Sequence, residues 1–96
     1  MNETNYYIIR GDRSGVFFGR LGERHGQEVE ILDCRRLWFW AGAASLSQLA
    51  SEGVKDPRRC KFTVTVPQLT VLDAIEIIPC SAAAAANITA VPEWKM

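Results

Sequence analysis

The stretch QEVEILDCRRLWFW, residues 27 to 40, limits the possible folds more than any other part of the chain. Val29 and Ile31 share one face while Glu28 and Glu30 share the other, the alternation of a half-buried strand. The phase then breaks at Asp33–Cys34. Beyond it Arg36, Trp38 and Trp40 lie on one side and Leu37 and Phe39 on the other, so both faces are apolar. A β-bulge at Asp33–Cys34 accounts for the shift, as does a short loop between two strands. A strand that is apolar on both faces must be covered on both. The cover has to come from the following helix, the C-terminal tail or a second subunit.

The neighbouring segments supply the partners. NYYIIR (5–10) and VFFGRL (16–21) are β-branched and aromatic and predict strands around a glycine-bounded turn, GDRSG (11–15). GERHG (22–26) predicts a hairpin loop, with QEVEIL (27–32) returning. KFTVTVP (61–67) alternates, with Phe62, Val64 and Val66 inward, and Pro67 is expected to end it because proline lacks a ladder donor. LTVLDAIEII (69–78) predicts a strand pair or one bent strand, stopped by Pro79.

Two helices are expected. AGAASLSQLASEG follows the tryptophans: Gly42 breaks the strand and the helix covers about Ala43 to Glu52. Ser45 with Gln48 three residues on makes a capping box that starts the helix near Leu46. Leu46, Leu49 and Ala50 form its apolar stripe, and Gly53 suits the left-handed position that ends it. SAAAAANITAV (81–91) is the second, with Ser81 as N-cap. The small residues Gly42, Ala43 and Ala44 let another segment approach the tryptophans closely. Trp94 is expected to anchor the tail, since so large a ring is costly to leave in water.

With 96 residues the chain makes one domain with a thin core. The expected class is α+β, mainly β: a small curled antiparallel sheet or an SH3-like barrel, with one internal and one C-terminal helix. No apolar run reaches the roughly 18 residues of a membrane span, and the N-terminus lacks an export signal, which implies a cytoplasmic protein. Eleven basic residues balance eleven acidic ones. A duplex-DNA binder normally carries a basic excess, so duplex DNA is disfavoured, while near-neutrality permits association of copies into a homo-oligomer.

Catalysis has little to work with. His25 is the single histidine and sits in a glycine-flanked turn. Cys34, Cys60 and Cys80 lie far apart, without the paired spacing of a zinc site, and read as buried thiols, so no metal or cofactor is expected. Asp33 and Asp73 interrupt apolar segments and suit partners of arginines. The recurring glycines are turn residues, because GDRSG lacks the ending of a phosphate loop. Arginine is the stronger signal: eight arginines stand against three lysines. A guanidinium grips carboxylates and phosphates and stacks on rings. Arg35 and Arg36 precede the tryptophans, and Arg58 and Arg59 follow the first helix. That combination suits a base-plus-phosphate ligand, against the plainer reading of solvated charge and internal ion pairs.

RRLWFWAGAASLSQLASEGV, CKFTV, AIEIIPC and the closing PEWK resemble a family of small proteins encoded by tailed bacteriophages and prophages. The resemblance covers nearly the whole chain and carries over no functional residue. It implies a bacterial host cytoplasm and an accessory gene whose product acts by binding. The expected function is a non-enzymatic anti-defence protein that sequesters a nucleotide-type immune signal. The expected ligand-binding residues are Arg35, Arg36, Trp38, Trp40, Ala43, Ser45, Ser47, Gln48, Arg58 and Arg59. The alternatives are a module that inhibits or adapts a host or phage protein, and a nucleic-acid-binding accessory protein.

Overall fold

The computed structural model describes residues 5–96; the part of the N-terminal reading that concerns residues 1–4 lies outside them. Among the described residues five strands form one antiparallel sheet: β1 (Tyr6–Gly11), β2 (Val16–His25), β3 (Glu28–Phe39), β4 (Lys61–Val71) and β5 (Ala74–Pro79), in the order β4-β3-β2-β1-β5. Helix α1 (Leu46–Glu52) and a 3-10 turn (Pro57–Arg59) connect β3 to β4, and helix α2 (Ala82–Ala90) follows β5.

The connection between β4 and β5 dictates the shape. These strands are opposite edges of the sheet, yet only Leu72 and Asp73 join them. Four strand spacings of a flat sheet amount to roughly 19 Å, while three Cα–Cα steps reach at most about 11 Å. The sheet must therefore curl until its edges approach. Ala74 N–H donates to the Gln27 carbonyl at 3.0 Å and Asp12 N–H to the Asp73 carbonyl at 2.9 Å across this junction. No ladder forms between β4 and β5, so the sheet stays open. Of the two expected forms, the curled sheet is the one observed, not the closed barrel.

Curling separates two cores. On the face covered by the helices, Ile8, Phe18, Leu37 and Phe62 pack with Leu49 and Ala50 of α1 and Ile88 of α2. On the other face Ile9, Phe17, Val29, Ile31, Cys34 and Val71 bury one another. No helix packs on that second cluster, so its shelter is the curl itself.

The phase break in β3 is the expected bulge. Asp33 has φ 50°, and the β2–β3 register slips between the pairs Phe18↔Arg35 and Arg20↔Leu32. The extra residue moves the inner face from Val29 and Ile31 to Cys34 and Arg36, and it turns Arg35 and Leu37 toward the helices. The expected residues cap both helices, but α1 begins at Leu46 instead of Ala43. Ser45 Oγ accepts from Gln48 N–H and Ser81 Oγ from Ala84 N–H, while Gly53 ends α1 at φ 78° and ψ −156°, a positive φ outside the left-handed helical region.

Three expectations are corrected. β2 continues to His25, so the hairpin turn is Gly26–Gln27 alone instead of a loop over 22–26. Pro67 does not end β4, which runs on to Val71. β4 is an edge strand, the place in a sheet where proline is tolerated because the outward-facing N–H groups make no ladder bond. Phe62, Val64 and Val66 do not share a face: Phe62 joins the helix-covered core, Val66 packs on the other cluster and Val64 is exposed. The register with β3 shifts between Arg35↔Thr65 and Leu37↔Phe62, placing an extra residue in β4 and resetting its alternation.

Candidate ligand-binding site

The residues expected to form one site separate into four environments. Arg35 is only 3% exposed. Its Nη1 donates to the Ile88 carbonyl at 2.7 Å, its Nη2 to the carbonyls of Val91 at 2.5 Å and Phe62 at 3.4 Å, and its Nε to the Thr63 carbonyl at 2.8 Å. The guanidinium also lies 5.5 Å from the Phe62 ring centroid. Burial pulls its pKa below the usual arginine value, offset by the nearby Glu93 charge and then by Cys60. This arginine closes the C-terminal end of α2, where carbonyls lack helical donors, and its donors are shared between that end and the Phe62 and Thr63 carbonyls of β4.

Trp38 faces the opposite way and is 64% exposed. Its indole stacks with Trp94 at a centroid distance of 6.4 Å and an interplanar angle of 14°. The tail that carries Trp94 is held by a parallel bridge between Phe62 and Glu93 and by Trp94 N–H donating to the Phe62 carbonyl at 2.8 Å. Trp94 thus anchors the tail along the free edge of β4, with its ring 45% exposed. Lys61 Nζ stands 5.5 Å from that ring's centroid. Two near-parallel indoles and an ammonium form an open aromatic platform at one end of the sheet.

Trp40 does not join that platform. β3 ends at Phe39, so the alternation that would carry Trp40 beside Trp38 stops, and Trp40, like Ala43 and Leu46, packs partly buried against the helix-covered core. Gly42 allows this corner: its φ is 90°, and a Cβ there would come within 2.6 Å of Lys55 N and 2.8 Å of Asp56 N. Ser45 and Gln48 are engaged in the helix cap, Gln48 Oε1 accepting from Ala44 N–H at 2.7 Å. Ser47 is exposed, as are Arg58 and Arg59 on the 3-10 turn, where Arg59 reaches Asp56 at 3.6 Å.

Arg36 occupies the fourth environment. Its guanidinium lies 4.6 Å from the Phe17 ring centroid and its Nη1 donates to the Ser14 carbonyl at 2.7 Å. It lines a cleft of about 530 Å³ at the mouth of the curl, together with the β1–β2 turn and the last residues of β4.

The acids and thiols fall into structural roles. Asp33 pairs with Arg20, whose Nε and Nη2 lie 2.9 and 2.7 Å from one carboxylate oxygen. Asp73 takes two backbone donors and a hydroxyl instead of a guanidinium: Arg13 N–H at 2.7 Å, Ser14 N–H at 3.1 Å and Ser14 Oγ at 2.5 Å. The Ser14 hydroxyl, followed by the Arg13 N–H, holds its carboxyl below the usual range. Burial pushes the thiols of Cys34 and Cys80 up to about 11. His25 is exposed beside Glu23 at 3.6 Å. No group of three metal-ligating side chains occurs among the described residues, and no helix of the described residues is long and apolar enough to cross a membrane.

Sequence reasoning missed Trp94 and Lys61 as parts of an aromatic site. They are distant from Trp38 in the chain and meet it only through the parallel bridge of the tail. The PEWK ending carried the signal as an anchor, without its partner.

A family model described as "Domain of unknown function (DUF6948)" matches residues 4–88. No curated protein and no solved structure matches the chain.

Proposed function

Since the chain belongs to the DUF6948 family, a domain of unknown function, we propose from its own residues that it is a non-catalytic binding protein for a nucleotide-type ligand. The base stacks on the Trp38–Trp94 platform. The observation that carries this reading is the near-parallel pair of exposed indoles with an ammonium beside them. Base–aromatic stacking contributes about 1–3 kcal/mol per base and tolerates any base, and Lys61 supplies positive charge for a phosphate. Arg35 has no part in the ligand's charge, since its donors are already taken. The raised thiols and the solvated histidine support binding over turnover, because a nucleophile needs an activated, accessible group.

The resemblance to small phage and prophage proteins supports a host immune signal as the ligand, held in the bacterial cytoplasm and withdrawn from circulation. The test is tryptophan fluorescence and thermal shift of the full chain with cyclic di- and trinucleotides and ADP-ribose-type signals. Quenching together with stabilisation by at least one of them is expected; no response from any of them overturns the reading.

A second reading, a protein-interaction module, is favoured by Phe39, a further exposed ring at the same end of β3 as Trp38. Interface hot spots are enriched in tryptophan. A stoichiometric protein partner lost in Trp38→Ala, with no nucleotide response, selects it.

A further inference from the structure

We propose that the mouth of the curled sheet is a second, separate binding site, for a small organic carboxylate with an apolar body. The open cleft there has a volume of about 530 Å³, inside the range of roughly 300–1,000 Å³ typical of small-molecule sites. Its apolar walls are Phe17, Leu69, Val71 and Leu72, and its charged groups are Arg36, Arg13 and Asp73. The curl creates this space: the inner cluster has no covering helix, and the two-residue β4–β5 link leaves the mouth open.

Arg36 is held ready and left unneutralised. Nη1 is fixed by the Ser14 carbonyl and the guanidinium plane rests over Phe17, so its orientation is set before any ligand arrives. Among the described residues no acceptor engages Nε or Nη2, and no carboxylate forms an ion pair with Arg36. The Nε–Nη2 edge is one of the two that bind a carboxylate in fork-to-fork fashion. Asp73, also at the cleft, does not fill that role, because its oxygens accept from Arg13 N–H, Ser14 N–H and Ser14 Oγ. A partly buried guanidinium without a counter-charge is costly, and an incoming anion relieves the cost.

The ligand's charge follows from the same arrangement. Arg13 and Arg36 bring two positive charges to the cleft and Asp73 one negative charge, so its lining carries a net charge of +1, which favours a monoanionic carboxylate over a phosphate dianion. The apolar walls require a hydrocarbon or aryl body. This ligand does not need the Trp38–Trp94 platform, since neither tryptophan lines the cleft.

The experiment titrates the full chain with octanoate, followed by calorimetry and by NMR of the backbone amides and the Arg36 Nε–H. Octanol serves as the uncharged control and inorganic phosphate as the anion without a body. Octanoate is expected to shift Arg36 Nε–H and the amides of Leu69 to Asp73, leaving the Trp38 and Trp94 indole signals in place. Octanol is expected to bind about tenfold more weakly or less, the loss of one charge-assisted pair, and phosphate not at all. Arg36→Gln should abolish the preference for octanoate over octanol. Because that variant also removes the Ser14 bond, Leu72→Glu gives an independent check: Leu72 is 71% exposed, so the fold tolerates the change while the mouth becomes repulsive to anions. Absence of shifts with millimolar octanoate, equal binding of octanol, binding of phosphate, or shifts confined to the tryptophans would each overturn the proposal. None of these outcomes bears on nucleotide quenching by the platform.

Discussion

Arg35 of β3 and Ile88 of α2 are joined by a hydrogen bond of 2.7 Å from Nη1 to the backbone carbonyl, the central member of the set that ties the sheet to the end of the second helix. Replacing the side chain orphans carbonyls that face no water. Arg35→Met keeps the length of the chain without its donors, and a loss of about 3 kcal/mol is expected, the scale for hydrogen bonds to a buried charge. Urea denaturation checks it. If Arg35 were a ligand contact, the variant would keep its stability and lose binding; the expected result is the reverse.

Asp33 combines a left-handed backbone with an ion pair to Arg20. A β-branched residue tolerates φ near +50° poorly, so Asp33→Val should cost about 2 kcal/mol. Asp33→Asn retains the local tolerance and gives up a half-exposed salt bridge, a change of about 0.5 kcal/mol or less. Chemical denaturation of the two variants side by side separates backbone from charge. Equal losses would mean that the bulge carries no conformational demand.

The bulge was readable because it changes which residues are apolar: Glu28 and Glu30 alternate with Val29 and Ile31, and from Leu37 to Trp40 both faces are greasy. Helix caps were equally local, since Ser45, Gly53 and Ser81 act within four residues of their own position. The curl was partly readable from the short links between strands. What could not be read is anything that depends on long-range pairing. Trp38 meets Trp94, and Arg35 meets Ile88, only after the tail and α2 have been placed. Nor does the sequence distinguish Arg35 from Arg36. A single step along the strand sends one guanidinium into helix carbonyls and the other to the mouth of the curl.

Asp73 gives the fold a defined acid sensitivity. Its carboxyl titrates below the usual range because the Ser14 hydroxyl and then the Arg13 N–H favour the charged form. The folded value lies below the unfolded one. The stabilisation is therefore complete above the unfolded value, near pH 4, and disappears as pH falls through the lower folded value. Asp73→Asn should melt below the parent protein at pH 7, and the gap should close as the pH is taken below about 4. A gap independent of pH would show that the carboxylate's charge contributes nothing to holding the β1–β2 turn.

Cys34 and Cys80 should be silent toward thiol reagents while the protein is folded. Burial raises both to about 11, so at pH 8 the thiolate, the reacting species, is scarce as well as shielded. Maleimide labelling followed by mass spectrometry should leave both unmodified in buffer and modify both in denaturant. Rapid labelling of either in buffer would show that its core cluster opens.

Trp38 and Trp40 stand two residues apart and should respond in opposite ways. Trp40 packs, partly buried, against the helix-covered core, so Trp40→Ala opens a cavity there and should cost about 3 kcal/mol. Trp38 stacks with Trp94 and is mostly exposed, and Trp38→Ala should cost about 1 kcal/mol, the scale of a single aromatic pair. Binding should follow the inverse order. Trp38→Ala removes half of the platform and is expected to abolish nucleotide-dependent quenching of Trp94, while Trp40→Ala, wherever it remains folded, keeps it. Melting curves and fluorescence titrations on the same samples provide both readouts. Should Trp38→Ala unfold the chain, or Trp40→Ala alone lose the ligand, the exposed pair is scaffolding and the ligand sits at the corner made by Gly42 and α1.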